Sequence, residues 1–427
     1  MILQMEALEL HKLENLIICN GGEILDRNTD AIRYKGANKM NIQNFYWDEE
    51  QTIKKYRTEE ASPLKVEHLP KMKRAKIQTN FELIWNIDYD YNCSVEQKAV
   101  EIVNTNQSVH IDGQAGTGKT YLANKVIDEI KRQNKKYIAF SPTNKGARLI
   151  GGKTIHSVYY KYSHNKKSLF KILKEIDYIF IDEVSMMIEK FYQLFMMCKR
   201  AFTHLKFIIV GDFAQLAPVK DTWTGDYKNS PAMWSLCSGN RIQLTKCRRA
   251  DQETFHMYNN VDKIVVEKFK PKIETYLNLA YTHKTRIKVN NECMERFIKT
   301  KKCLYHYIPM DVKNPKSQNV KLSVGMPVIC HTTNKKLDIL NSEKFKVSKI
   351  KDGLIIVIDD ERSIQIPIIH FNKFLYLGFC ITIHASQGET FDEPYTIYDW
   401  KFKCFCNRAK YVAISRTVSI QNIQIVG

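Results

Sequence analysis

The sequence predicts an α/β protein built on parallel sheets, and three observations carry that prediction. A glycine-rich turn, Gly113-Gln-Ala-Gly-Thr-Gly-Lys-Thr120, joins a short apolar run (Val109, Ile111) to a stretch of helix formers (Leu122, Ala123, Val126, Ile127, Ile130). From Tyr91 onward, four- and five-residue apolar runs alternate with segments of helical periodicity, the pattern of a parallel sheet covered on both faces. Between about 342 and 369 the period switches to strict alternation, with Asp352-Gly353 as a hairpin turn, which predicts a small antiparallel insert.

In chain order, residues 1–92 read as an N-terminal extension. It opens on an amphipathic helical pattern with Glu6, Glu9, Lys12 and Glu14, which argues against a signal peptide, and later carries a basic cluster at Lys71, Lys73, Arg74 and Lys76. Residues 93–240 form the first α/β unit. Its strands are predicted at 108–112, 137–140, 178–181 and 207–210, and its helices after Thr120, near 144–151, near 168–175 and near 189–201. Residues 241–427 form a second unit, with a strand before Tyr281, a helix near 288–300, a strand near 326–330, the insert, the strand Phe379–Ile383 and a last helix and strand.

Composition bounds the function. Across 427 residues, Lys and Arg exceed Asp and Glu by 19, so the chain carries a field that attracts polyanions. No run of 18 apolar residues is present, and 44% hydrophobic with 26% charged residues is ordinary globular composition, so the expectation is a soluble, intracellular protein that does not span a membrane. The cysteines, 11 in all, are spread singly with no CxxC pair, as expected of reduced thiols.

Chemistry gathers at the carboxyl ends of the predicted strands, where sites on such sheets lie. The segment from Gly113 to Thr120 has the GxxxxGK(S/T) spacing in its required strand-to-helix context. Backbone N–H groups turned inward at Gly113, Gly116 and Gly118 would cradle phosphates, Lys119 would reach the β- and γ-phosphates, and Thr120 would ligate Mg²⁺. Ile181 runs into Asp182-Glu183, a metal-holding acid and a neighbour that can polarise water. Val210 leads to Gln215, which could sense a γ-phosphate. Pro142, Thr143 and Asn144 at one helix opening, and Thr154 and His156 further on, offer groups that hold a nucleic-acid backbone.

Taken together, GQAGTGKT, SPTNKGARLIGGKTIHS, FIDEVSM, VGDFAQLAPV, LTKCRR, ITIHASQGETFD and YVAISRT resemble the motif series of helicase superfamily 1B. The nearest resemblance is to the Pif-one and RecD-like DNA helicases, including the phage Dda type, over about residues 93–427. The ITIHASQGETFDEPYTIYDW block also resembles helicases of large DNA viruses.

The resemblance implies two RecA-like lobes, the second with a β insert, and ATP-driven movement on single-stranded DNA, 5′ to 3′, that separates forked duplex DNA. Such activity serves replication, repair and recombination, with replication or repair proteins as partners. It further implies Gln97 at the adenine and Gly113, Gln114, Ala115, Gly116, Thr117, Gly118, Lys119 and Thr120 on the triphosphate. Mg²⁺ falls to Thr120 and Asp182, general base to Glu183, and coupling to Gln215. Arg249 and Arg416 would reach the γ-phosphate from the second lobe. Pro142, Thr143, Asn144, Thr154, His156, His384 and Ser386 would meet DNA, with Gln387 and Gly388 near the junction of the two ligands.

This chain departs from the family in having Ala385 where lysine is usual, and Arg248-Arg249-Ala250 where FRQ is common, which leaves open which arginine points at the phosphate. The strand-separating wedge is open between Val158–Lys167 and the insert. A protein-stripping translocase with little unwinding, and a nucleic-acid scaffold with a vestigial ATPase, remain the alternatives.

Overall fold

The computed structural model describes residues 83–162, 166–218, 221, 225–314, 316–334 and 336–427, together with a two-stranded antiparallel hairpin of Glu23–Arg27 and Ile32–Lys35. The chain divides into two compact units, Met1–Ile84 and Trp85–Gly427. The opening helix and the basic cluster near residue 74 lie outside the described residues, as does part of the Val158–Lys167 segment.

The second unit is organised on two parallel sheets. The larger has seven strands in the order Asn86–Tyr89, Asn240–Leu244, Val109–Gly113, Lys206–Gly211, Tyr178–Ile181, Tyr137–Ser141, Lys153–Thr154. Period-2 geometry sends successive residues of a strand to opposite faces. Ile179 and Ile181 accordingly join one core and Tyr178 and Phe180 the other. Helices Val95–Asn104 and Lys119–Arg132 cover one face, through Ala99, Leu122 and Val126. Ile155–Tyr162, Lys166–Leu173, Glu189–Ala201 and Pro231–Leu236 cover the other. The sheet extends past both boundaries drawn from the sequence. Asn86–Tyr89 and Asn240–Leu244 pair with each other, and the latter also pairs with Val109–Gly113, so residues 241–244 belong to the first sheet.

The second parallel sheet has four three-residue strands in the order Cys380–Thr382, Asn278–Ala280, Tyr395–Ile397, Ile423–Ile425. Leu279, Ile381 and Ile397 pack on the last helix, Asn407–Ile414, while Ala280 and Cys380 face a core shared with helix His283–Lys301. That second core also takes in the antiparallel sheet, which is larger than the alternation alone suggested. It has five strands in the order Ser363–Pro367, Leu354–Ile358, Lys344–Lys351, Pro327–Cys330, Leu375–Leu377. The run near 326–330 therefore belongs here and not to a parallel sheet. Its burial on both sides made it look like a parallel strand. The Asp352-Gly353 turn is present, with φ of +53° and +73°, the mirror-image turn that matches strand twist.

The two parallel sheets meet through side chains. Ala115 and Leu216, from loops at the end of the first, are buried in the core of the second. No helix among the described residues is long and apolar enough to cross a membrane.

Candidate functional site

The phosphate loop takes its shape from contacts that forbid larger residues. A Cβ on Gly113 would lie 2.6 Å from Thr117 Oγ1 and 2.8 Å from the Leu244 carbonyl oxygen, and one on Gly116, at φ +81°, would lie 3.0 Å from Arg249 Cβ. Helix Lys119–Arg132 begins at Gly118 with no side-chain cap, so its first N–H groups stay available to an anion. Lys119 Nζ donates to the carbonyl oxygens of Gly113 and Gln114, both at 2.7 Å, folding back over the cradle.

Across the loop, Asp182 and Glu183 follow the buried strand Tyr178–Ile181. Glu183 has φ +53°, a left-handed conformation that costs a side chain roughly 1 kcal/mol or more and is characteristic of functional sites. Its N–H donates to Asp182 Oδ1 at 2.9 Å. Burial pushes both carboxyls up, and the charge of Glu183 adds to the effect on Asp182; Lys119 draws both back down. Two carboxyls held against their preferred protonation beside a hydroxyl (Thr120) and a lysine are a donor set that fits Mg²⁺ and a triphosphate.

Arginines reach the same space from the segment that follows Asn240–Leu244 and from the turn after helix Asn407–Ile414. Arg248 N–H donates to the Gly116 carbonyl at 2.8 Å, which fastens the Arg248-Arg249 segment to the phosphate loop. Arg416, 2% exposed, is held by the carbonyls of Val412 (2.8 Å), Glu389 (3.2 Å) and Ser386 (3.4 Å) and by Ser415 Oγ (2.8 Å). Burial and the neighbouring Arg249 lower its pKa, while Glu183 opposes that shift. One cavity of about 1120 Å³ is lined by Gly116, Gly118, Lys119, Thr120, Asp182, Glu183, Gln215, Arg248, Arg249, Gln387, Gly388 and Arg416.

A hydrogen-bond run ties these pieces together. Ala115 N–H donates to the Tyr411 hydroxyl at 2.7 Å, which donates to Asp212 Oδ2 at 2.6 Å. Gln215 Nε2 donates to the same oxygen at 3.2 Å, and Gln387 Nε2 donates to Gln215 Oε1 at 3.1 Å. The sequence reading assigned no role to Tyr411 or Asp212. Tyr411 stands inside the YVAISRT block, but only folding places its hydroxyl on the phosphate loop.

The cavity continues away from the nucleotide loop. Pro142, Thr143, Asn144 and His384 line it, together with residues not singled out from sequence, among them His283, Arg286, Lys316, His331 and Tyr376. Other expected positions fall elsewhere. Ser386 is fully buried and its hydroxyl donates to the Ile383 carbonyl at 2.8 Å, which turns it away from any strand. Thr154 accepts from Ser157 N–H at 3.3 Å as a helix cap, and His156 packs edge-on against Phe191; neither lines the cavity. Gln97 completes a capping box with Ser94 and does not line it either. Thr117 is buried, with its hydroxyl on the Gln114 carbonyl at 2.9 Å. Gln114 bonds the Asn259 side chain and, with Gly113, lines a smaller cavity behind the loop.

Two parallel-sheet halves sharing one cavity, with a phosphate loop on one side and arginines on the other, define a two-lobed P-loop NTPase with RecA-like lobes. Comparison with known proteins narrows the class. The AAA domain family matches residues 96–221. The ATP-dependent DNA helicase Pif1 of Bdellovibrio bacteriovorus is 23% identical over 402 residues, which span 79% of this chain and 89% of the relative. Two solved structures share the fold. That of two coordinating Pif1 helicases unwinding forked dsDNA has a TM-score of 0.58 at 22% identity, over 78% of this chain and 92% of the other. That of Pif1 helicase from Bacteroides in complex with ADP-AlF3 and ssDNA has a TM-score of 0.57 at 20% identity, over 79% and 92%. This chain is therefore similar in sequence and in fold to Pif1 helicases.

Proposed function

We propose that this chain is an ATP-dependent DNA helicase that tracks along single-stranded DNA, 5′ to 3′, and separates forked duplex DNA inside the cell. The observation that carries the reading is the single cavity. Arg249 and Arg416 from one half and Lys119, Asp182 and Glu183 from the other line one end, and Pro142, Thr143, Asn144 and His384 line the rest. The known activity of Pif1 relatives, and solved complexes with ADP-AlF3 and single strands, support it.

The chemistry follows from the residues. Lys119 leaves its carbonyl partners to meet the triphosphate, and the uncapped helix N-terminus receives it. Thr120 and Asp182 would hold Mg²⁺, which when bound neutralises phosphate charge. Glu183, with its carboxyl raised by burial, orients and deprotonates the attacking water. Arg249 and Arg416 stabilise the charge that develops on the γ-phosphoryl group, a contribution on the order of 10³ to 10⁵ in rate when supplied from a second domain. Because those arginines ride on the second lobe, turnover requires closure and hydrolysis releases it. Alternating grip on the strand by the two lobes then becomes movement, against a duplex that resists by about 1.4 kcal/mol per base-pair step.

The test is strand displacement on 5′-tailed and 3′-tailed duplexes with ATP, beside ATP turnover with and without single strands. Unwinding of the 5′-tailed substrate alone is expected, with turnover abolished by Lys119→Ala. Strand-stimulated turnover without displacement would instead assign a translocase.

A further inference from the structure

We propose that the far end of the cavity holds a phosphate anchor for the single strand, built on Arg286 with Tyr376, His331 and Lys316; this rests on the strand-tracking reading above. Arg286 projects from helix His283–Lys301 and is 3% exposed. Its Nη2 donates to the Lys316 carbonyl at 2.6 Å, while Nε and Nη1 have no hydrogen-bond partner among the described residues. A buried guanidinium with unmet donors and no carboxylate is costly unless a ligand supplies the acceptor.

The surroundings prepare it for an anion. The guanidinium carbon lies 4.4 Å from the centre of the Tyr376 ring, and His331 stacks on that ring at 3.9 Å with planes 12° apart. Asn314 Nδ2 donates to the Tyr376 hydroxyl at 3.2 Å. The ring thus fixes the plane of a fork that matches two phosphate oxygens, and with a cation and an imidazole already against it, it does not serve as a base-stacking platform. Among the described lining residues the only carboxylates are Asp182 and Glu183, at the nucleotide end. His283, beside Arg286, is held down to about 4 by burial and by the charges of Arg286, Lys316 and His384, which marks this end as electropositive. Arg286, His384, Asn144 and the phosphate loop all line this one cavity, so a strand lying in it can place one phosphodiester on Arg286.

The experiment measures binding of a fluorescent dT oligonucleotide across a salt series. Arg286→Met, which keeps the packing on Tyr376, is expected to weaken binding roughly tenfold or more and to lower the slope of log K against log salt by about 0.7, the value for one phosphate contact on a single strand. Arg286→Lys keeps the slope and recovers part of the affinity. Replacing single phosphates by methylphosphonates should find one linkage that matters to the wild-type protein and not to R286M. Should R286M fail to melt cooperatively, Lys316→Gln decides in its place by the same slope. An unchanged slope in the folded variant overturns the anchor. So does competition by inorganic phosphate at constant ionic strength that is lost in R286M, which would make this a free-anion site. Wild-type protein that binds no oligonucleotide removes the strand-tracking reading and the anchor together, whereas wild-type binding that R286M matches removes the anchor alone.

Discussion

Tyr411→Phe removes one oxygen and with it two hydrogen bonds that join the halves of the site, from Ala115 N–H at 2.7 Å and to Asp212 at 2.6 Å. The ring stays. It remains in the apolar core of the second sheet, edge-on to Tyr258 at 6.2 Å, so burial is preserved and only the polar junction is lost. A neutral bond is worth about 1 kcal/mol net and one to a buried carboxylate about 1.5–3, so the junction as a whole is worth on the order of 2.5–4 kcal/mol. The helix that carries Tyr411 ends at Ile414, two residues before Arg416, the arginine proposed to meet the γ-phosphate, so loss of the junction loosens the segment that positions it. Taking about 2 kcal/mol of that as lost from the closed, reactive arrangement, strand-stimulated kcat should fall roughly 30-fold. Nucleotide affinity, set mainly by the loop from Gly113 to Thr120, should move less than about threefold. Steady-state ATP turnover at saturating dT oligonucleotide, beside titration with a fluorescent ATP analogue, separates the two. A kcat within twofold of wild type, or a raised KM with kcat intact, would refute the argument and leave Tyr411 a packing residue.

The two adjacent arginines should differ. Arg249 is the one whose charge bears on Arg416, whereas Arg248 bears on Tyr91 at the other side of the loop, so Arg249→Ala is expected to lower kcat by about 10³ and Arg248→Ala mainly to raise KM for ATP. Arg148 pairs with Glu343 and, at 3.6 Å, with Asp338, spanning from the helix that opens at Asn144 to the antiparallel sheet. Because these groups are partly exposed, the link is worth about 0.5–1 kcal/mol, and Arg148→Glu should speed strand release roughly two- to fivefold in stopped flow, less so in high salt. His110 is fully buried with neither ring nitrogen bonded among the described residues, and burial depresses its pKa to about 3. The unfolded chain therefore takes the proton first, and stability falls as pH drops below 6.5, by about 1.4 kcal/mol per unit. Urea unfolding at pH 7 and pH 5 should show the wild type losing about 2 kcal/mol more than His110→Leu; parallel losses would contradict it.

Much of this architecture is written locally. Three central strands of the first sheet are short apolar runs closed by Gly113, Asp182 and Gly211, and the phosphate loop lies where the spacing of Gly113, Gly118 and Lys119 requires. What was illegible depends on partners distant in the chain. Asn240–Leu244 reads as the start of a second unit because its neighbours in sequence belong there, yet its pairing partner is Val109–Gly113. Pro327–Cys330 is as apolar as a parallel strand because Val328 and Cys330 enter one core and Ile329 the other. At the site, block patterns located Arg249 and Arg416 but not side-chain direction. Ser386 and Thr117 have the right chemistry and turn it inward, and Gln97 spends its amide on the cap of its own helix. Arg286 sits in no block, and a buried arginine is invisible to periodicity.

The run from Ala115 through Tyr411, Asp212 and Gln215 to Gln387 passes between the two halves three times within the span of a few side chains. Gln387 and Glu183 line the same cavity, so the chain of bonds begins at the phosphate loop and ends beside the carboxyl proposed to activate water. A strand that orders His384 and its neighbours acts on the same segment as Gln387, and a nucleotide that orders Ala115 acts on Tyr411. Each ligand therefore biases one shared arrangement. Thermodynamic linkage then requires that any factor by which a nucleotide tightens the strand be matched by the factor with which the strand tightens that nucleotide. Tyr411→Phe should shrink both factors together, since it cuts the run where it first crosses between the halves. A variant that reduced one and spared the other in equilibrium binding would mean that coupling travels by a different route.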